Sequence, residues 1–293
     1  MSEFHAHRQW GAFSPAVICA LVVATLVYLR GWLRLRSICP SFIDGWQLAA
    51  FASGLILVWT AVGSPLATLD HQLLTMHMAK HLLLMTVASP LLLAGMPTLP
   101  LLYGVPARFV KNLGNPLARS VERSPKYPLL CWLAGAITLI GWHLPVAFEL
   151  GMRSDWMHTL EDGCFLLAGL LFWWPVVRHS PTAIRSPQWS IALYLFMATL
   201  PCDILSAFLV FCNRLAYPYY LSRTQLFRLS PLQDQECAGA LMWVWVTFAY
   251  LIPAIVITMQ ILSPMSMHTQ RAAQAAWPEL GVCSLNGAEP EGL

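Results

Sequence analysis

The sequence predicts an all-α, polytopic membrane helix bundle of about seven transmembrane helices, with the N-terminus outside and the C-terminus cytoplasmic. Three observations carry this. The 293 residues are 57% hydrophobic and only 11% charged, against roughly 25% charge in an ordinary soluble domain. The mean hydropathy is +0.59, the opposite of the polar, highly charged composition that keeps a chain disordered. Asp, Glu, Lys and Arg are missing from seven runs, 9–29, 45–69, 81–107, 127–148, 163–177, 186–202 and 237–270, and a spanning helix needs about 20 mostly apolar residues. The net charge of +3, spread over scattered basic residues, gives no nucleic-acid footprint. The lipid bilayer is the first partner.

The expected helices follow those runs: 13–29, 46–63, 72–95, 128–145, 158–177, 189–212 and 237–262. The first leads to Arg30, Arg34 and Arg36 without a small-x-small cleavage site, so it reads as a retained helix and not a signal peptide. Pro40, Ser64-Pro65, Pro97 with Pro100, Pro145, Pro181 with Pro187, Pro218 and Pro264 punctuate the chain where helices should end. Glu161 and Asp162 sit in the first turn of the fifth helix, where the dipole favours anions. Residues 1–268 form a single transmembrane domain, and 269–293, rich in Ala, Gln, Gly and Glu, a mobile C-terminal tail.

Orientation comes from the basic residues of the loops. Most of the 17 fall on one side: Arg30, Arg34 and Arg36; Arg108, Lys111, Arg119, Arg123 and Lys126; Arg178 and Arg185; Arg271. That side is cytoplasmic. The eight cysteines lie mostly inside apolar runs with no CxxC, as small hydrophobes would.

Ionisable groups within spans are costly and point to function. The third helix holds the densest set, with Asp70, His71, Met76, His77, Met78, Lys80, His81 and Met85. His77, His81 and Met85 are spaced i, i+4, i+8 on one face, and Met78 is three residues before His81. Imidazole with thioether is a donor set for a soft or borderline metal, copper above all. A lone histidine of this kind is more often interfacial decoration, and lone methionines fill cores; two histidines a turn apart with methionine neighbours favour a site. The topology then brings polar residues from other helices to the same outer face. His143 ends the fourth helix, His158 and Glu161 begin the fifth, and Asp234 and Gln235 precede the seventh, with Met242 two turns inside. Weaker candidates are His5-x-His7, the Met265-x-Met267-His268 group, loop His179, and Asp203, for which a structural pair with Lys80 or an arginine is the simplest role. GxGxxG, P-loop, GxSxG and HExxH motifs are absent from the sequence, which argues against an enzyme.

The stretch from His77 through Lys80 and His81 to Met85, followed by Ala88-Ser-Pro-Leu-Leu-Leu-Ala-Gly-Met-Pro97, resembles the signature of the CtaG-type cytochrome c oxidase assembly factors. Further blocks agree: Trp142-His143-Leu-Pro145; His158-Thr-Leu-Glu161 running into Phe165 through Pro175; and Asp234-Gln235 through Gly239 to Met242-Trp243. The likeness covers roughly 46–262. It implies a multi-pass plasma-membrane protein that helps mature a caa-type haem-copper oxidase through copper delivery, distinct from the soluble-domain chaperone that shares the CtaG name. Two positions depart from the pattern: Lys80 stands where glutamine is usual, adding positive charge near any cation, and Asp162 where a second histidine often follows the glutamate, removing a ligand.

Combined with that resemblance, the residues suggest copper, as Cu(I), held by His77, His81 and Met78 or Met85, with His143 and His158 completing or gating the site. His71, Glu161, Asp234, Gln235 and Met242 would support it, Glu161 by orienting His158. Oxidase subunits or another copper chaperone would be the partners. Two other readings stay open. One is a b-type haem protein with His81 and His143 or His158 as axial ligands. The other is a proton or ion transporter using Lys80, Glu161, Asp162 and Asp203.

Overall fold

The computed structural model describes residues 15–38, 43–106, 128–177, 189–222 and 229–262, and among them there is no β-strand. The tail at 269–293, His5, His7, His179 and the Met265–His268 group lie outside the described residues. In chain order the elements are α1 (Pro15–Ile38), α2 (Gly45–Val62), a 3-10 segment (Pro65–His71), α3 (Leu74–Leu82), a π-helical turn (Leu83–Ala88), α4 (Ser89–Ala94) and α5 (Thr98–Gly104). There follow α6 (Pro128–His143), α7 (Pro145–Arg153), α8 (Asp155–Val177), α9 (Trp189–Phe211), a second 3-10 turn (Pro218–Ser222) and α10 (Pro231–Leu262). Six helices are long and apolar enough to cross a bilayer, and α6 with α7, bent by 74° at their junction, makes a seventh crossing if the pair is one span. The molecule is inside-out relative to a soluble fold. Leu26, Ile137, Ile204, Phe211 and Ile255 face outward, while Asp70, His77, Lys80, His81, Glu161 and Asp234 are buried. This is a multi-pass membrane protein.

Several boundaries differ from the sequence expectation, each for a local reason. The first helix runs on to Ile38 instead of stopping at 29. Nothing before Pro40 breaks it, and Arg36 sits favourably in its last turn, over the Trp32 ring at 4.9 Å. The connection expected after the fourth helix contains α7, started by Pro145 at N1, where its missing N–H costs nothing. The last helix begins at Pro231, so Asp234 and Gln235 lie inside its first turns and not in a preceding loop.

The third crossing is the one that matters most for the site. It was expected as one regular helix over 72–95, but it is α3, a π turn and α4 in series. Pro90 explains the π turn. A proline has no N–H to give and crowds the carbonyl a turn behind it. The helix accommodates this by widening, with the Ser89 N–H reaching back to Leu84 O. In that register the carbonyl left without a donor is Met85 O. The Trp173 indole N–H of α8 supplies the bond at 3.0 Å. Trp245 in turn donates to Thr86 Oγ1 at 2.8 Å.

Two buried apolar clusters flank this crossing. One joins α1, α2 and the π turn around Tyr28, Trp32, Phe51 and Leu84; the other joins α3, α8, α9 and α10 around Phe172, Leu195, Met242 and Tyr250. Tyr28 stacks on Phe51 at 3.8 Å and donates to Gly95 O at 2.7 Å, which pins α1 to the end of α4. Gly31 of α1 and Gly104 of α5 allow a close backbone approach: a Cβ on Gly31 would overlap the Pro100 carbonyl, and one on Gly104 the Val27 carbonyl.

Trp173→Phe keeps most of the packing volume and leaves Met85 O without its donor in an apolar interior. A loss of about 1–3 kcal/mol is expected, read as a lower unfolding midpoint in detergent, with Trp174→Phe as the comparison.

Candidate metal centre

The site is assembled by side chains that satisfy helix ends from a distance. The first N–H groups of α3 have no partner within their own helix. Asp234 of α10 takes them: Oδ2 accepts from Leu74 N–H at 2.6 Å, and Oδ1 from Thr75 N–H at 3.2 Å and the Thr75 hydroxyl at 2.6 Å. An N-cap delivered by another helix fixes the position of α3 along α10. The next residue, Gln235, ties down the chain leaving α9. Its Oε1 accepts from Ala216 N–H at 2.8 Å, and its Nε2 donates to Leu209 O and Arg214 O, each at 3.2 Å. That chain carries two tyrosines into the bundle. Tyr217 donates to His143 O at 2.9 Å and Tyr220 to Asp70 O at 2.7 Å. Burial pushes both phenols above their ordinary value, and a carboxylate, Glu161 for Tyr217 and Asp70 for Tyr220, pushes the same way. Both stay O–H donors.

Inside this frame α3 and α8 face each other and make a polar cluster in two tiers. The outer tier centres on Lys80. Its ammonium lies 2.5 Å from Asp70 Oδ2, 2.9 Å from Asp162 Oδ1 and 2.7 Å from His158 Nε2. His158 Nε2 is itself 2.8 Å from the same Asp70 oxygen. His71, the most exposed member, stands at the rim, with Nδ1 3.3 Å from the Tyr219 hydroxyl and its ring 4.9 Å from that of His158.

The inner tier is His77, His81 and Glu161. Glu161 Oε1 faces His77 Nε2 at 3.5 Å and His81 Nε2 at 3.8 Å, and Oε2 faces His158 Nδ1 at 3.3 Å. All three side chains are buried, at 0%, 3% and 1% exposure for His77, His81 and Glu161. Neither ring nitrogen of His77 or His81 forms a hydrogen bond. Donor atoms of His77, His81 and Glu161 lie within 4.8 Å of one another, as do those of Asp70, His77 and His158. Phe148 of α7 closes one wall, 5.0 Å from the His77 ring and stacked on Tyr217 at 4.0 Å. The 74° bend thus brings α7 over the cluster. It requires Gly151, where a Cβ would come 2.9 Å from Glu161 Oε2.

The remaining expected residues lie deeper and apart. His143 and Met78 meet as a pair, Nε2 to Sδ at 3.0 Å. Met85 and Met242 line, with His81, His143 and Met78, a cavity of about 40 Å³ between α3, α6, α8, α9 and α10. The structure therefore gathers His77, His81, His158 and Glu161 into one cluster, places Met78, His143, Met85 and Met242 around a neighbouring cavity, and uses Asp234 and Gln235 as scaffold. Asp203 does not pair with Lys80, which is committed to Asp70 and Asp162. Sequence reasoning left Asp70, Lys80 and Asp162 outside the site and did not anticipate Phe148, Gly151, Tyr217 or Tyr220. Asp70 and Lys80 carried a signal as unneutralised charges in one span; the aromatic residues sat in segments that read as connections.

Residues 26–263 match the family of cytochrome c oxidase caa3 assembly factors. The chain belongs to that family. Curated relatives of this chain are an uncharacterized protein of Mycobacterium leprae, 21% identical over 272 residues, and uncharacterized proteins of Mycobacterium bovis and Mycobacterium tuberculosis, each 24% identical over 274. The matches cover 89% of this chain and 40% of each relative, so the chain spans well under half the length of these relatives. No solved structure matches it.

Two predictions follow from the frame. Lys80→Met leaves Asp70 and Asp162 buried beside each other without their cation. Breaking a buried pair in this way costs about 3–5 kcal/mol, seen as a fall in thermal midpoint that Asp70→Asn on the same background partly reverses. The two tyrosines bind their protons more tightly folded than unfolded, so their contribution is whole below their ordinary pKa of 10.0 and declines as pH rises through and above it. Tyr217→Phe with Tyr220→Phe should flatten that alkaline decline while costing roughly 1 kcal/mol per lost hydrogen bond at neutral pH.

Proposed function

We propose that this caa3 assembly factor takes up copper as cargo at the cluster of His77, His81 and Glu161 and supports its insertion into cytochrome c oxidase. The observation that carries this reading is the set of ring nitrogens of His77 and His81, buried around one carboxylate and without a hydrogen bond. Buried polar groups in native proteins almost always have partners, and an ion is one of the few things that explains a group of them left open together. Two imidazoles and a carboxylate suit a borderline ion such as copper. His158 stands one layer out, held by Asp70 and facing Glu161, where it orients the carboxylate.

The role is non-enzymatic. The polar groups of the cluster hold one another. With the arginine-rich loops cytoplasmic, the cluster opens at the outer face of the plasma membrane, near His71. An oxidase subunit or a second copper chaperone would meet the protein there.

Detergent-purified full-length protein should bind copper in reducing buffer, without a Soret band. His77→Ala combined with Glu161→Gln should lower the bound copper by one ion per chain. Oxidase from cells carrying that variant should keep its haem and lack copper. Unchanged copper in the purified variant would overturn the reading.

A further inference from the structure

We propose a second, soft-metal site, formed by Met78 Sδ and His143 Nε2 at the wall of the cavity beneath the histidine–carboxylate cluster, that takes a d10 monovalent cation. The choice of Cu(I) as that cation rests on the function proposed above; the site itself rests on the following geometry.

His143 Nδ1 lies 2.7 Å from Leu139 O, and a carbonyl only accepts, so Nδ1 carries the proton. The neutral ring then presents a bare Nε2 lone pair, and what it faces at 3.0 Å is a thioether sulfur, which has no proton to offer. Two lone-pair donors are thus held against each other with nothing between them to bond. Hydrogen bonding gives this contact no account, whereas a soft cation accepting from both does. Both side chains are buried, Met78 at 1% and His143 at 6% exposure, and the elements that carry them are fixed independently: α3 by the Asp234 cap and the end of α6 by Tyr217.

The space beside the pair suits an ion of that class. The cavity of about 40 Å³ is lined by Met78, Met85, Met242, His81, His143 and Cys202 among mostly apolar neighbours. Water fits such a volume but needs two to four good polar partners, and thioethers are weak acceptors. The Met78 sulfur and the His143 imidazole satisfy a soft cation far better than they satisfy water. His81 lines this cavity and also belongs to the upper cluster, and its ring is 6.2 Å from that of His143. Both of its nitrogens are without hydrogen bonds, so the ring can serve either side. The chain therefore holds two donor sets of different softness in series: nitrogen and oxygen above, nitrogen and sulfur below.

The test uses the full-length protein in detergent, loaded anaerobically with Cu(I) and in parallel with Ag(I). Metal per chain and sulfur scattering in the X-ray absorption spectrum are then measured. Wild type should bind two ions and show sulfur as well as nitrogen or oxygen neighbours. Met78→Leu, a volume-conserving change, should lose one ion and most of the sulfur signal. Met152→Leu, a buried methionine outside the cavity, should keep both. Wild type without sulfur scattering, or a folded Met78→Leu protein with unchanged ion count and sulfur signal, would overturn the proposal. The two sites fail separately. If His77→Ala with Glu161→Gln leaves copper unchanged while Met78→Leu removes it, the upper site is wrong and this one stands; the reverse pattern removes this one alone.

Discussion

A lysine ammonium buried among carboxylates is the constraint around which this bundle is arranged. Asp70 is carried into the interior by the 3-10 segment, and Glu161 and Asp162 by adjacent positions of α8. Burying even one unpaired carboxylate is costly enough that folding avoids it. Lys80 offsets part of that charge and does so with three short contacts, which hold the 3-10 segment, α3 and α8 together at one point. Glu161 lies outside the reach of that ammonium, and its neighbours are imidazoles with open nitrogens. Three carboxylates against one ammonium leave the cluster net negative. Lys80 therefore shapes the centre without competing for it: it is spent on the outer tier, and the inner tier is left electrostatically receptive.

The other structural devices serve the same end. In a membrane every backbone group must find a partner within the protein, so departures from regular helix carry a cost and are informative where they occur. Here they surround the cluster. The α3 N-terminus is capped by Asp234 from α10, and the Met85 carbonyl freed by Pro90 is capped by Trp173 from α8. The bend before α7 is held by Tyr217 on His143 O. Each repair comes from a different element, so each also locks the position of a donor side chain. The outer surface, by contrast, is apolar helix with little irregularity, as expected where only lipid is met.

Much of the architecture was legible from the sequence because charge-free runs report membrane crossings directly. The convergence of His77, His81, His143, His158, Glu161 and Asp234 at one face was legible too, since alternating crossings place alternate helix ends together. The division into two donor sets was not. Reading His77, His81 and Met85 as i, i+4, i+8 assumes a regular helix through Leu83–Ala88, and Pro90 converts that stretch to a π turn that moves Met85 into the cavity lining. Met78, three residues before His81, meets His143 at the end of α6, a contact between helices that spacing within one helix does not show. Asp234 and Gln235 have the right chemistry to approach a metal, yet both are consumed by backbone ends that only the fold reveals. Lys80 looked like an obstacle to cation binding because its partners, ten residues before it and on another helix, are invisible to a local pattern.

On the proposed function, the composition of the centre fits a carrier better than a resident cofactor site. A cofactor site gains from thiolates and rigid, complete coordination, and gives its metal up slowly. The inner tier has two imidazoles and one carboxylate, and His158 of the outer tier is turned toward Asp70 and Lys80. His71 at the rim lies within reach of solvent, so the cluster is one step from the surface and not sealed beneath it. The thioether–imidazole pair below, weaker still as a donor toward a divalent ion and better toward a monovalent one, would separate ions by softness instead of by size. Ligands that are individually weak, held in position by helix caps and not by the metal, can release their ion without the fold giving way.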